Sequence, residues 1–506
     1  MPRTIAFDLR IDWGLDTSYS DESARLVAAN GSVRLAAPES GITSPRGTVD
    51  QCTITLNNMD GRFSPLLTTS PIYADIAGGG AYHAPMYLRV SIDGGGTYSR
   101  VFTGVLKIPR EGPPYPGVAS TVEIDCRSRD EILLNKRMST PIATFRAQHD
   151  SGATEANVIL NWLSQAGIPN GETVLDPGLI VLPWAWLDDE SPVEDIWQLA
   201  AAAGGRFYCD QDGIFRYENM THWLFAPHNT SRETLTKAGY SQMDGPAYDD
   251  RELYNGVTVV ASPRDQLVVG PLWSAGQVIT IPAGGAKAMT AKLRQPAYQI
   301  NAVNYTAVSS SGRDMSSAIT VSMVQFAQRV ELTISNSDAT YAVDMLDLNL
   351  VGVSVNGSPT LEETRLSSNA FWTAFTTARP GRTRLLRGSS YVQTQAQAAM
   401  LAEFLRDRYQ LPRLSWTLRG VPGDPFRRLG DRVTVGNADA MSANRDGFIT
   451  SLTWRLSAKG FGQDIEVLDA GLPSDGTGLY QSAAYFVIGS NNLGSGAGSN
   501  HGQLFY

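Results

Sequence analysis

Apolar and polar residues alternate along much of this chain. Thr48 to Leu56 sets Val49, Ile54 and Leu56 among polar neighbours, and Met86 to Ile92 alternates likewise before the turn Asp93-Gly94-Gly95-Gly96. Successive side chains of an extended strand point to opposite faces, so this period marks half-buried strands joined by hairpins. Val101 to Ile108 and Thr121 to Cys126 continue the series across the Pro/Gly-rich Pro109 to Gly117. Several short strands at near-regular spacing favour a small barrel or sandwich over residues 1–150.

The period then changes. Val158, Ile159, Trp162, Leu163 and Ala166 form a helical stripe closed by Gly167. Ser191-Pro192-Val193-Glu194 reads as a capping box with Pro in the first turn, followed by Ile196, Trp197, Leu199 and Ala200 and ended by Gly204-Gly205. Arg206 to Cys209 and Ile214 to Tyr217 then flank the turn Asp210-Gln211-Asp212-Gly213. Residues 151–247 are thus a helix-helix-hairpin α+β unit.

Strand patterns resume over 248–390, as in Val257 to Val260 and Ala318 to Val324. They read as a second β region interrupted by an inserted β-domain at about 265–375. Over 391–470 a third helix starts at the capping box Thr394-Gln395-Ala396-Gln397. Strands at Trp416–Leu418, Asp431–Val435, Phe448–Leu456 and Asp464–Leu468 follow it. Residues 471–506 include a Gly/Ser/Asn-rich stretch of linker composition. The apolar Tyr485 and Phe486 precede that stretch and Leu504, Phe505 and Tyr506 follow it, which suggests a partner-docking arm. The class is mainly β with α+β segments.

Composition narrows the function. A chain of 506 residues exceeds one hydrophobic core and predicts roughly three to five units. Its net charge of −9 and lack of a dense Lys/Arg run argue against a nucleic-acid groove. The most basic stretch, Arg379 to Arg387, reads as a solvated or subunit-contact surface. Three scattered cysteines form no disulfide framework and read as small buried hydrophobes of a chain folded in a reducing cytoplasm. The N-terminal segment lacks the apolar stretch of a signal peptide. The longest apolar run, Leu179 to Leu187, is too short to cross a bilayer.

Candidate chemistry is sparse. The five histidines make no HExxH or similar zinc spacing, and His222 and His228, six apart, do not share a helical face. The segments around Asp60 and Asp210 have the Asp-Gly of a calcium loop but lack its first and twelfth ligands, so both read as tight turns. Asp188-Asp189-Glu190 suits the positive end of the following helix. No nucleophile elbow, phosphate loop or dinucleotide fingerprint is present. The expectation is a structural protein with no catalytic residue, cofactor or metal.

One segment carries a resemblance. Asn57-Asn58-Met59-Asp60-Gly61-Arg62-Phe63-Ser64-Pro65, followed by Ser70-Pro71-Ile72-Tyr73, resembles a turn near the N-terminus of tailed-bacteriophage tail-tip and baseplate hub proteins. Tyr98 to Lys107, Ile196 to Tyr217, Asp250 to Val257, Leu429 to Val433 and Phe448 to Leu456 are similar to later parts of that family, in order. The resemblance covers about 1–260 and 390–470, leaving 265–375 unmatched. It implies two similar small β-barrel hub domains per chain and a homotrimer whose barrels form a pseudo-six-fold ring. The implied partners are the distal tail protein or tail tube, the tape measure protein, and a central fibre or receptor-binding protein. DNA would pass through the lumen on ejection, with no stable membrane insertion. The implied location is the virion tail, after synthesis in the host cytoplasm. It marks Asp60, Gly61, Arg62, Phe63 and Pro65 as a structural motif, with Phe63 anchored by burial and Arg62 by a carboxylate or carbonyl. A hexameric distal tail ring, a receptor- or carbohydrate-binding tail component using the inserted domain and the 10 Trp, and a tail-associated cell-wall hydrolase are the competing readings.

Overall fold

The computed structural model describes residues 3–35, 48–64, 67–73, 83–107, 109–111, 120–248, 253–368, 372–373, 376, 381–386, 389–410, 414–437 and 444–470. The alternating segments form strands. The first set is β1 (Ala6–Ile11), β2 (Leu26–Arg34), β3 (Gln51–Asn57), β4 (Pro85–Ser91), β5 (Ser99–Leu106) and β6 (Thr121–Ser128). The second is β7 (Glu233–Thr236), β8 (Gln242–Tyr248) and, after a long excursion, β9 (Leu414–Pro422), β10 (Arg432–Gly436), β11 (Arg445–Ser457) and β12 (Gly460–Asp469).

Hydrogen bonding orders the first set β1-β4-β5-β6-β3-β2 and the second β7-β10-β11-β12-β9-β8. Adding six to each label turns one order into the other. The only difference in direction is at one margin, where β1 and β4 are antiparallel but β7 and β10 are parallel. The chain therefore carries one six-stranded topology twice.

The two sets are joined. β2 runs antiparallel to β11, with Arg34 opposite Ser451 and Ala28 opposite Ser457, so both sets belong to one 14-stranded sheet. The mainly β class and the two similar β sets stand as expected, and no closed barrel is present among the described residues. In the first set the margin of β2 that could return toward β1 is occupied by β11. Each set still covers its own core: Leu9, Ile54, Leu88 and Ile124 in the first, Leu418, Val433, Ile449 and Ile465 in the second. Burying each such side chain contributes about 1.5–3 kcal/mol. Strands β2 and β11 serve both cores, Ala29 and Trp454 in one, Val33 and Leu452 in the other. Gly31 lies opposite Trp454, and a Cβ there would sit 2.5 Å from the indole ring.

The segment between the two sets and the excursion hold the helices. Glu155–Gln165 and Pro192–Ala202 pack with the hairpin Arg206–Cys209/Phe215–Glu218 around Trp162, Leu199 and Phe215. Pro192–Ala202 starts where its signal predicts, but the Ser191 hydroxyl does not cap it. That hydroxyl donates to the Leu133 carbonyl at 3.2 Å and ties the helix to Asp130–Leu134 instead. Thr394 does cap, its hydroxyl accepting from the Gln397 amide at 3.1 Å at the start of Gln395–Tyr409. Strand Gly256–Ala261, read as the lead into a second barrel, lies between Leu361–Leu366 and Thr383–Leu386 and joins the helical core.

From Arg264 to Gly357 the chain builds a two-layer β unit. A five-stranded sheet around Val343–Gly357 covers a three-stranded one, with Ile281, Leu332, Ile334 and Leu350 in their shared core. Aromatic side chains seat the unit on the helix Ile142–Ser151. Tyr298 meets His149 and Trp184 edge-on, ring centroids 5.9 and 6.0 Å apart, and its hydroxyl donates to Asp150 at 2.8 Å. No helix among the described residues is long and apolar enough to cross a membrane.

Candidate functional site

The turn singled out by sequence is the corner between β3 and β4. Asn57 Oδ1 accepts from the Met59 amide and Asn58 Oδ1 from the Phe63 amide, at 3.0 and 2.8 Å, bending the chain back on itself. Gly61 takes a left-handed φ of +73°, and a Cβ there would meet Leu67 at 2.5 Å. Phe63 is wholly buried beside Trp13, ring centroids 5.8 Å apart.

Two crossed ion pairs tie this corner to the segment before β2. Arg25 grips Asp60 with two bonds of 2.9 and 2.7 Å, holding that carboxyl down at about 2. Arg62 reaches the buried Glu22 at 2.6 and 3.2 Å, and Glu22 also accepts from the Trp13 indole at 3.1 Å. The corner is a staple: its charges are answered internally and its aromatic ring is inside. Pro65 and the arm residues Tyr485, Phe486, Leu504, Phe505 and Tyr506 lie outside the described residues.

The equivalent corner, between β9 and β10, repeats the device. Asp424 Oδ1 accepts from the Phe426 amide at 2.9 Å, as Asp60 Oδ1 accepts from the Arg62 amide at 3.2 Å. Arg427 grips Glu233 at 2.5 and 2.9 Å, and Arg232 reaches Asp431 at 2.6 Å and Asp424 at 3.1 Å. Two positions past its aspartate the first corner carries Arg and then the buried Phe63. The second carries Phe426 and then the buried Arg427. That exchange hid the repeat from sequence, although Asp-x-Arg-Phe beside Asp-x-Phe-Arg was the available signal.

A second cluster, missed by sequence, sits where three units meet. The hairpin tip Asp210–Gly213 rests on β5, its carbonyls capped at 2.8 Å each. Thr103 caps Gln211, Arg100 caps Asp212 and Arg129 caps Gly213. Arg428, from the second corner, donates to Ser99 on β5 at 2.8 Å. The Asp210 carboxylate accepts from the amides of Asp212 and Ile214, both at 2.9 Å, which closes the turn.

His222 and His228 come closer than their spacing suggested, with ring centroids 4.8 Å apart. His222 Nδ1 lies 2.8 Å from Asp176 and Nε2 3.5 Å from Glu218. Burial opposes its charge, but these carboxylates outweigh burial and raise its pKa. No group of three or more His, Cys, Asp or Glu that could hold a metal ion occurs among the described residues. Of the tryptophans, all but Trp186 and Trp273 are buried, and those two are half-buried. In the basic stretch, Arg382 and Arg384 lie over Tyr254 at 5.6 and 5.5 Å.

No family model and no curated protein matches this chain. Among solved structures it is similar to the tail protein from Neisseria meningitidis MC58, at 11% identity and a TM-score of 0.49, over 94% of this chain and 98% of that one. It is also similar to the 43 kDa tail protein of prophage MuSo2 from Shewanella oneidensis, at 12% identity and a TM-score of 0.43, over 91% and 97% of the two chains. A third is an Escherichia coli component of the type VI secretion system, at 10% identity and a TM-score of 0.39, over 93% and 77%.

Proposed function

We propose that this chain is a non-enzymatic structural hub of a bacteriophage tail tip or baseplate. It would assemble as a homotrimer whose two β sets per chain make a pseudo-six-fold ring. The observation that carries the reading is the duplicated strand order, with an Asp–Arg and an Arg–Glu ion pair at the same corner of each set, reaching the segment before β2 in the first and the start of β7 in the second. A three-fold tip that docks on a six-fold tube needs two near-equivalent surfaces per chain, and duplication supplies them. The hub turn Asp60-Gly61-Arg62-Phe63 supports the same reading. In this role the ring sits between the tail tube or distal tail protein and the central fibre or receptor-binding protein, in the virion. The tape measure protein ends inside it, and DNA crosses the lumen on ejection.

Native mass spectrometry of the purified chain tests this. Three copies are expected. Six copies would favour a distal tail ring instead, and a single copy at every concentration would remove the ring.

A further inference from the structure

The joint between β2 and β11 has an unfilled counterpart. β11 runs on past Phe448, the last residue it pairs with β10, and this extension holds β12 on one side and β2 on the other. β5 behaves the same way. Its Leu106 amide donates to Ala84 and its carbonyl accepts from His83, at 3.0 and 3.1 Å. Ile449 on β11 makes the matching bonds with Asp431 and Gly430, at 2.9 and 2.8 Å. Beyond Leu106 the chain continues to Arg110 and Glu111, which pair with Glu123 and Val122 of β6. The other side of Pro109–Glu111 carries no strand among the described residues. β8, the counterpart of β2, pairs among the described residues only with β9 and ends the 14-stranded sheet.

We infer that β8 of one copy pairs antiparallel with the β5 extension of the next copy, repeating between chains the β2–β11 joint made within each chain. The partner is a second copy of this chain, and the inference rests on the ring reading above. The register follows from the internal joint. Ser32 faces Gln51 on β3 and Thr453 on β11. Ala247 faces Ser415 on β9, which occupies the place of Gln51. Thr453 faces Asp464 on β12 as Arg110 faces Glu123 on β6. Ala247 therefore falls opposite Arg110 of the neighbour. The Leu35 amide donates to the Thr450 carbonyl, so two residues that occupy the Ser32–Thr453 rung are a non-hydrogen-bonded pair. Their Cα atoms stand about 4.5 Å apart, within disulfide reach. Pro246 removes one amide from this edge, which limits indiscriminate pairing while leaving the rung beside it intact. The contact joins unlike surfaces, so it closes a three-fold ring only if its rotation and that of the internal joint together make one third of a turn.

The test is the double variant A247C/R110C in the full-length chain, oxidised and run without reductant. The expected result is covalent dimers and trimers from the double variant. Either single variant, and the out-of-register pair Q242C/R110C, should give at least ten-fold less. The single variants should keep the native mass of the parent, which controls for folding. A trimer by mass with no A247C/R110C cross-link overturns this pairing and leaves the hub reading standing. A monomer, or an open filament, overturns both.

Discussion

Removing Arg427 would strip the half-buried Glu233 carboxylate of two charge-assisted bonds and empty a buried site. Its guanidinium is 3% exposed and also donates to the carbonyl of Pro422 and the Gln463 amide oxygen, at 2.8 and 2.6 Å. Arg427→Ala should cost about 3 kcal/mol, in line with breaking one partner of a buried pair. Arg62 is itself about a third exposed, and the buried Glu22 it would leave keeps Arg25 at 3.7 Å and the Trp13 indole at 3.1 Å, so Arg62→Ala should cost less, about 1–2 kcal/mol. Thermal unfolding of the two variants side by side would check the ranking, and equal losses would contradict it. His222 carries a pH signature of its own. Its folded pKa is raised, so the charged ring stabilises the fold fully below its ordinary value near 6.5. That contribution is lost as pH rises through the folded value. The melting temperature of the wild type should therefore drop more from pH 5.5 to 8 than that of His222→Gln. Parallel curves would exclude the ring as the titrating group.

At the scale of strands, the β2–β11 rung through Gly31 leaves no room for a side chain. Gly31→Ala would drive a methyl into the buried Trp454 indole and should destabilise by about 1–3 kcal/mol, read as a lower denaturation midpoint. Met86 to Ile92 could be read as a strand because one face of β4 is buried and the other is not, so the period of two survives in the sequence. Gly256–Ala261 is buried on both faces, and the resulting apolar run states that it is a strand without saying which sheet it joins. Ser191 has the composition of a cap, yet its hydroxyl is drawn to Leu133 by tertiary packing that local sequence does not encode. The corner motif was legible at Asp60, Gly61 and Phe63 because turn chemistry is local. Glu22, its buried partner, was not, since a carboxylate's burial depends on an arginine forty positions away. The pairing of β2 with β11 left no local mark at all.

For the molecule as a whole, duplication is the organising fact, and copy number and cross-linking are the measurements that test its consequences. The helix-helix-hairpin unit lies between the two sets and the Arg264–Gly357 unit between β8 and β9, so both leave the repeated strand order undisturbed. The three-way junction around Arg100, Arg129 and Arg428 fixes the hairpin against the first set and the second corner against β5. The β2–β11 ladder also sets a timetable. Arg34 leaves the ribosome roughly 400 residues before its partner Ser451, on the order of a minute at ordinary synthesis rates. Throughout that interval the nascent first set presents β2 as an open edge, and such long-range closure is slow once it becomes possible. Translation that stops short would leave that edge bare, exposing the unfinished chain to chaperones and proteases and barring it from assembly.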